Sequence, residues 1–260
     1  MSDFRSKYGP WALVAGASEG LGAAFAEELA KRGLNLILIA RRLDKLELLA
    51  NDLKNNYKIE VTYQSLDLAD FQQVKNWISE LDIPIGLLIY NAAFAPIGYF
   101  EEIPEESFEK IINVNTKTPL LLSKLVSVQM ITRKKGGIVL MSSLAGTQGT
   151  PKLATYAATK SFNTILAEGL WKEMKKYGID VIASVAGAIR TPGYRNAQHA
   201  KDAPGTLDAS EVAIKTLNAL GKGPVIIPGF INKLAKFFMG RMLPRKTAIS
   251  IMDEQTKKLS

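Results

Sequence analysis

Seven short apolar runs punctuate the chain, at residues 11–15, 36–40, 61–66, 85–90, 136–141, 179–185 and 224–227. Helical patterns alternate with them along the whole length. Strands separated by helices cannot pair as hairpins. They pair in parallel, and the helices cover the faces of the sheet. The helical patterns are set by Leu21, Phe25 and Leu29, which stop at Gly33, and by Leu43, Leu46, Leu49 and Leu53. Others begin near Asp70, run over 104–132 with Pro119 as a bend or first-turn residue, and cover 154–177. A further one spans 208–220 with Asp208 or Ser210 as cap. The 260 residues, 47% hydrophobic, suffice for one large core, and no linker, repeat or low-complexity run divides them. Residues 1–260 are read as a single domain, with 229–260 as a basic amphipathic extension.

The first strand runs into Gly16-Ala17-Ser18-Glu19-Gly20-Leu21-Gly22 and then into a helix. Glycines at G-x-x-x-G-x-G spacing permit a tight turn and close backbone approach, with a helix N-terminus aimed at a pyrophosphate. The expected fold is therefore α/β: a Rossmann-type, doubly wound parallel sheet of about seven strands, helices on both faces and a C-terminal helical extension. Arg41-Arg42 ends the second strand, where the adenosine ribose of a dinucleotide would lie. An acidic residue there would hold a 2′-hydroxyl, whereas two arginines suit a 2′-phosphate. NADP(H) is the expected cofactor, with NAD(H) possible. Asp67, beside Leu68, stands where a carboxylate accepts from the adenine amino group or caps the helix beginning near Asp70. Asn91-Ala92-Ala93 ends the fourth strand with small residues that let a cofactor approach.

The fifth strand ends in Ser142-Ser143, and thirteen residues after Ser143 come Tyr156 and Lys160 on a long helix. At i and i+4 they share one helix face, about 6 Å apart along the axis. A phenol is a poor acid at neutral pH, and a nearby ammonium is expected to bring its pKa down. A strand-end Ser with this pair can form a proton-transfer site. Asn113 and Asn115 are costly inside a helix, which implies a buried polar task for one of them.

Several chemistries are excluded by composition. With no cysteine there is no disulfide, thiolate metal site or Cys nucleophile. His199 is the only histidine and lies in a polar run, read as surface, so His-based zinc sites and Ser-His triads drop out, and no metal is expected. The polar start of the chain lacks the apolar core of a signal peptide, and no stretch reads as a membrane span. A soluble, cytoplasmic protein is expected.

Together these motifs, from about residue 10 to 227, resemble the short-chain dehydrogenase/reductase family. The family's T-G-x-x-x-G-x-G reads Ala15 to Gly22 here, its N-A-G reads Asn91-Ala92-Ala93, and its P-G after the sixth strand reads Ala186-Gly187. Ala15, Ala93 and Ala186 are departures at supporting positions. The resemblance implies Asn115, Ser143, Tyr156 and Lys160 as catalytic residues. It implies hydride transfer between a nicotinamide and a carbonyl or alcohol carbon, with Tyr156 as general acid/base, Lys160 on the nicotinamide ribose and Asn115 holding a relay water. Cofactor contacts are implied for Gly16, Ser18, Glu19, Gly20, Leu21 and Gly22. They are also implied for Arg41, Arg42, Asp67, Leu68 and Asn91 to Ala93, and for Tyr156, Lys160, Gly187, Ile189 and Thr191. Glu19 sits where many NADP-preferring relatives carry a basic residue. A homodimer or homotetramer is implied. The alternative is a non-catalytic NADP(H)-binding sensor or scaffold, which would not need all four catalytic residues together.

Ser143, Leu144, Phe94, Leu153 and Tyr194 form the expected substrate pocket, mostly apolar and suited to a hydrophobic ketone, steroid-like alcohol or 3-oxoacyl chain. Residues 194–206 are polar and rich in Gly, Pro and Ala, as a lid would be. Net charge is +8, and residues 230–260 hold seven Lys/Arg against two Asp/Glu, so +5 of it lies in the tail. Phe230, Leu234, Phe237, Phe238 and Met242 follow helical spacing over 230–246, interleaved with Lys233, Lys236, Arg241 and Arg245. Such a segment can pack on its own body, on a second subunit or over the pocket, or make peripheral contact with an anionic membrane. Nucleic acid is not expected, because the basic residues are not set among base-stacking aromatics.

Overall fold

A computed structural model describes residues 2–197 and 202–257, so His199 lies outside it. The elements are α1 (Ser2–Tyr8), β1 (Trp11–Ala15), α2 (Gly20–Lys31), β2 (Asn35–Ala40), α3 (Leu43–Tyr57), β3 (Val61–Ser65), α4 (Phe71–Glu80) and β4 (Ile85–Tyr90). Then come α5 (Glu105–Ile112), α6 (Thr118–Arg133), β5 (Gly136–Ser143), α7 (Ala154–Met174) and β6 (Ile179–Ala186). The chain continues through β7 (Ile189–Arg190), α8 (Pro192–Ala197), β8 (Leu207–Asp208), α9 (Ala209–Ala219), β9 (Val225–Ile226), α10 (Phe230–Phe237) and α11 (Arg245–Thr256).

Seven strands form one parallel sheet in the order β3-β2-β1-β4-β5-β6-β9. Successive residues of a strand face opposite sides. Leu13 therefore joins Ile37 and Leu88 in one core, while Val14 joins Phe25, Leu36 and Leu38 in the other. Both faces are covered, which is why the strands read as unbroken apolar runs. The strand order reverses between β1 and β4, and a crevice opens there beyond the carboxyl ends of the strands.

Four local expectations change. Residues 2–8, read only as a polar start, form a helix, in which Phe4 stacks on Tyr8 at 4.7 Å and the Tyr8 hydroxyl donates to Asp180 at 2.6 Å. The helix expected over 104–132 is interrupted by a π-helical stretch at Asn113–Lys117, and Pro119 sits in the first turn of α6. There its missing N–H costs nothing. Asp70 caps α4 by accepting the Gln73 N–H at 3.1 Å, but Asp208 at the start of α9 makes no such bond, since Arg190 takes its carboxylate at 3.0 Å. In the tail, α10 passes into a π-helical stretch, Phe238–Met242, and breaks at Leu243, whose backbone is extended. The following Pro244 disfavours helix at that position. No described helix is long and apolar enough to cross a membrane.

Candidate active site

A cleft of about 840 Å³ lies at the switch point, over the ends of β1, β2, β4, β5 and β6. Gly16, Ser18, Glu19, Gly20 and Leu21 form one wall. Gly16 has φ +84°, and a β-carbon there would meet Ala92 at 2.7 Å. Gly22 does not line the cleft. It lies behind the wall, where a β-carbon would strike the Gly16 carbonyl at 1.8 Å. The Asn91 amide donates to that same carbonyl at 3.0 Å, which locks β4 to the turn. No side chain caps the N-terminus of α2, no acidic residue lies in its first turn, and Gly20 and Leu21 of that turn line the cleft, an arrangement that could hold an anion.

Ala40, Arg41, Arg42, Asp67 and Leu68 line the far end. Arg42 reaches Glu19 at 2.7 Å and donates to Ser18 at 3.1 Å, and Lys45 stands 3.7 Å from the same Glu19. The hydrogen bond from Arg42 holds the Glu19 carboxyl below its usual range. Arg41 makes no ion pair among the described residues. Asp67 does not cap α4: it accepts the Ala69 N–H at 3.0 Å and pairs with Lys110 at 3.3 Å. Burial pushes its pKa up, but these two bonds outweigh burial and hold it below the carboxylate norm.

At the other end Ser143, Tyr156 and Lys160 meet in the same cleft, with Asn91, Ala92, Ala93, Gly187, Ile189 and Thr191 around them. Lys160 is buried, its ammonium 5.5 Å from the centre of the Tyr156 ring and donating to the Met141 carbonyl at 3.1 Å. Ser142 donates to the Lys160 carbonyl at 2.7 Å, so the end of β5 and the first turns of α7 hold one another. Burial raises the Tyr156 pKa above the phenol norm, opposed by hydrogen bonding with Ser143. The expected lowering by Lys160 is not found, because the ammonium lies over the ring rather than on the hydroxyl. Burial also brings Lys160 down to about 8.

Asn115 is fully buried. Its amide oxygen accepts the Phe94 N–H at 2.8 Å, and its nitrogen donates to the Phe94 carbonyl at 2.9 Å and to Thr159 at 3.1 Å. Thr159 donates in turn to the Tyr156 carbonyl at 2.7 Å. Both amide protons are therefore spent on protein acceptors, and the side chain has none left for the expected relay water. It acts as a clamp between the Phe94 loop and α7.

The expected substrate residues separate. Ser143, Phe94 and Tyr194 line the large cleft, and the Tyr194 hydroxyl accepts the Ala203 N–H at 3.0 Å. Leu153 belongs to a second, more apolar cavity of about 250 Å³. Ile103, Phe108, Ile111 and Pro151 line it, and Tyr156 borders both spaces. Leu144 lines neither and starts the 3-10 turn Leu144–Thr147. Three contributors escaped the sequence reading, namely Lys110, Thr159 and Asn232. Asn232 holds the Gly205 and Pro228 carbonyls at 3.0 and 2.9 Å, and Gly187 leaves it room. No local pattern marks these residues, since the contacts that bring them to the site, Lys110 with Asp67, Thr159 with Asn115 and Asn232 with Gly205, join residues far apart in sequence.

The family model described as short chain dehydrogenase matches residues 10–202. A human protein named Inactive hydroxysteroid dehydrogenase-like protein 1 is 38% identical over 194 residues, 73% of this chain and 59% of that protein's length. The Very-long-chain 3-oxoacyl-CoA reductase of Mus musculus is 33% identical over 244 residues, 90% of this chain and 78% of its own. Among solved structures, a 7beta-hydroxysteroid dehydrogenase superposes with TM-score 0.89 at 27% identity, over 96% of this chain and 98% of that one. A short-chain dehydrogenase from Sphingobium yanoikuyae in complex with NADPH gives TM-score 0.78 at 32% identity, over 85% and 88%.

Proposed function

The chain belongs to the short-chain dehydrogenase family, and from that premise we propose that it moves hydride between NADP(H) and the carbonyl or carbinol carbon of a hydrophobic substrate. The observation that carries this reading is the convergence of Ser143, Tyr156 and Lys160 in one cleft with a free helix N-terminus and Arg41-Arg42.

The residues fit a phosphorylated dinucleotide. The Gly16–Gly20 wall and the uncapped α2 N-terminus suit the pyrophosphate, Arg41 and Arg42 the 2′-phosphate, and Asp67 and Leu68 the adenine. Asn91, Ala92, Ala93, Gly187, Ile189 and Thr191 surround the nicotinamide end, where Lys160 holds the ribose. When bound, the cofactor supplies or accepts the hydride. In the reducing direction Tyr156 gives its proton to the developing alkoxide, while Ser143 donates a hydrogen bond to the same oxygen and orients it. The acidity of Tyr156 is set by burial, which raises its pKa, against the hydrogen bond with Ser143, which lowers it. Asn115 positions Tyr156 through Thr159.

The substrate we favour is a bulky ketone, steroid-like alcohol or 3-oxoacyl chain. The apolar cavity behind Tyr156 supports this, as do relatives named for 3-oxoacyl-CoA and hydroxysteroids. We also read the protein as a homodimer or homotetramer.

NADPH absorbance against a panel of ketones, steroids and 3-oxoacyl thioesters tests the activity. Tyr156→Phe should lose about a thousandfold in kcat while NADPH binding changes less than about threefold. Full activity in that variant would overturn the mechanism. The second reading, a non-catalytic NADP(H)-binding scaffold, draws on the human relative named inactive. NADPH binding without turnover of any member of the panel would favour it.

A further inference from the structure

The tail presents an apolar face outward. Phe230 is 73% exposed and Met242 60%, and Ile231, Leu234, Phe237 and Phe238 are exposed between them. Packing on its own body therefore does not bury this face. Lys233, Lys236, Arg241, Arg245 and Lys246 lie among these residues, and no acidic residue occurs from 230 to 252. The segment is nonetheless anchored. Asn232 is buried against Gly205 and Pro228, Arg245 donates to the Thr147 carbonyl at 3.2 Å, and Ile249 approaches Gly149. The apolar face is thus held in place and left uncovered by the described residues of its own chain, and a contiguous patch of this kind marks an interaction site.

A surface of opposite character flanks the same loop. Over 99–109 the chain carries Glu101, Glu102, Glu105, Glu106 and Glu109, all exposed, and no Lys or Arg. The next basic residue along the chain, Lys110, pairs with Asp67 at 3.3 Å, and one lysine, Lys152, stands over the Tyr99 ring at 5.2 Å. Phe100, 69% exposed and packed on Phe108 at 5.0 Å, stands among the glutamates with exposed Ile97, Tyr99 and Ile112. Gly98 donates to the Lys152 carbonyl at 3.1 Å, which joins this segment to the 144–153 loop that the tail also touches. Among the described residues no ion pair joins the two surfaces within one chain.

We propose that the basic, apolar tail of one copy docks on the acidic, apolar segment 97–112 of a second copy. The reciprocal contact closes a two-fold pair, as self-complementary surfaces do. The proposal deepens the homo-oligomer reading by naming the surfaces. An anionic lipid surface is the poorer occupant, because it offers no partner to the five exposed glutamates, whereas a second copy matches both surfaces. Tyr99, Phe100 and Glu101 also rim the 250 Å³ cavity behind Tyr156. The partner's tail therefore sits at its mouth, and each substrate cavity is completed by the other copy.

Sedimentation of the full chain at about 20 mM and about 500 mM salt tests this, since screening weakens exposed charge pairs. Lys233→Glu with Arg241→Glu should remove one association step, a twofold fall in assembled mass. Adding Glu105→Lys with Glu106→Lys to that variant should restore it. The chain has no cysteine, so copies carrying only Lys233→Cys mixed with copies carrying only Glu105→Cys should cross-link to each other with a short bis-maleimide. A wild-type chain of single-copy mass throughout would overturn both this contact and the homo-oligomer reading. An assembly indifferent to the charge reversal, or not restored by the swap, would overturn this contact alone. Capture of a single-copy wild-type chain by phosphatidylserine vesicles would assign the face to a membrane instead.

Discussion

The Arg42 guanidinium lies 2.7 Å from a Glu19 carboxylate oxygen, inside the cleft end where a 2′-phosphate would sit. A carboxylate of this chain therefore competes for one of the two arginines. Both side chains are partly exposed, so the pair is screened and worth about 1 kcal/mol or less. Glu19→Gln should tighten NADPH about threefold to fivefold and leave NADH unchanged, as read by fluorescence titration. Arg41→Asp should move preference the other way, toward NADH. Unchanged NADPH affinity in Glu19→Gln would mean that the carboxylate orients Arg42 rather than competing for it.

Lys160 is buried with its pKa brought down to about 8 from the ordinary 10.5. Below pH 8 both folded and unfolded chains carry the charge, and only the folded chain bears the cost of burying it. Above about 10.5 neither does. Lys160→Met should therefore stabilise the fold at pH 7 by up to about 3 kcal/mol, less the bond lost to Met141. The gain should shrink as pH rises from 8 towards 10.5, and activity should be lost throughout. Thermal melts at several pH values measure it. A variant no more stable than wild type at pH 7 would show the burial cost to be absent.

Asn115→Ala strips partners from the Phe94 N–H, the Phe94 carbonyl and Thr159. Leaving buried groups unpaired should cost about 2–4 kcal/mol in denaturant unfolding. Because the clamp also orients Tyr156 through Thr159, kcat should fall more than NADPH affinity. If kcat stayed at the wild-type level, the positioning role would be lost.

Much of this molecule is local and could be read residue by residue. The strands were visible because burial on both faces makes them continuously apolar, and the Gly16–Gly22 turn because its backbone excludes side chains. Tyr156 and Lys160 shared a helix face by spacing alone. What escaped involves partners far apart in the chain. The Asn115 amide is spent on Phe94 and Thr159, Leu144 lines neither cavity, and Tyr156 is raised rather than lowered. Each outcome depends on which groups folding brings within about 3 Å, and on how much water it removes from them.

By itself, then, the sequence determined the α/β alternation, the parallel sheet and the residue types available for hydride chemistry, because these follow from period, propensity and side-chain inventory. Only the tertiary structure decided that Glu19 takes Arg42, that burial governs the Tyr156–Lys160 pair, and that the tail turns its phenylalanines outward. Those results rest on distance and desolvation, which exist only after the strands have been ordered and the loops brought together.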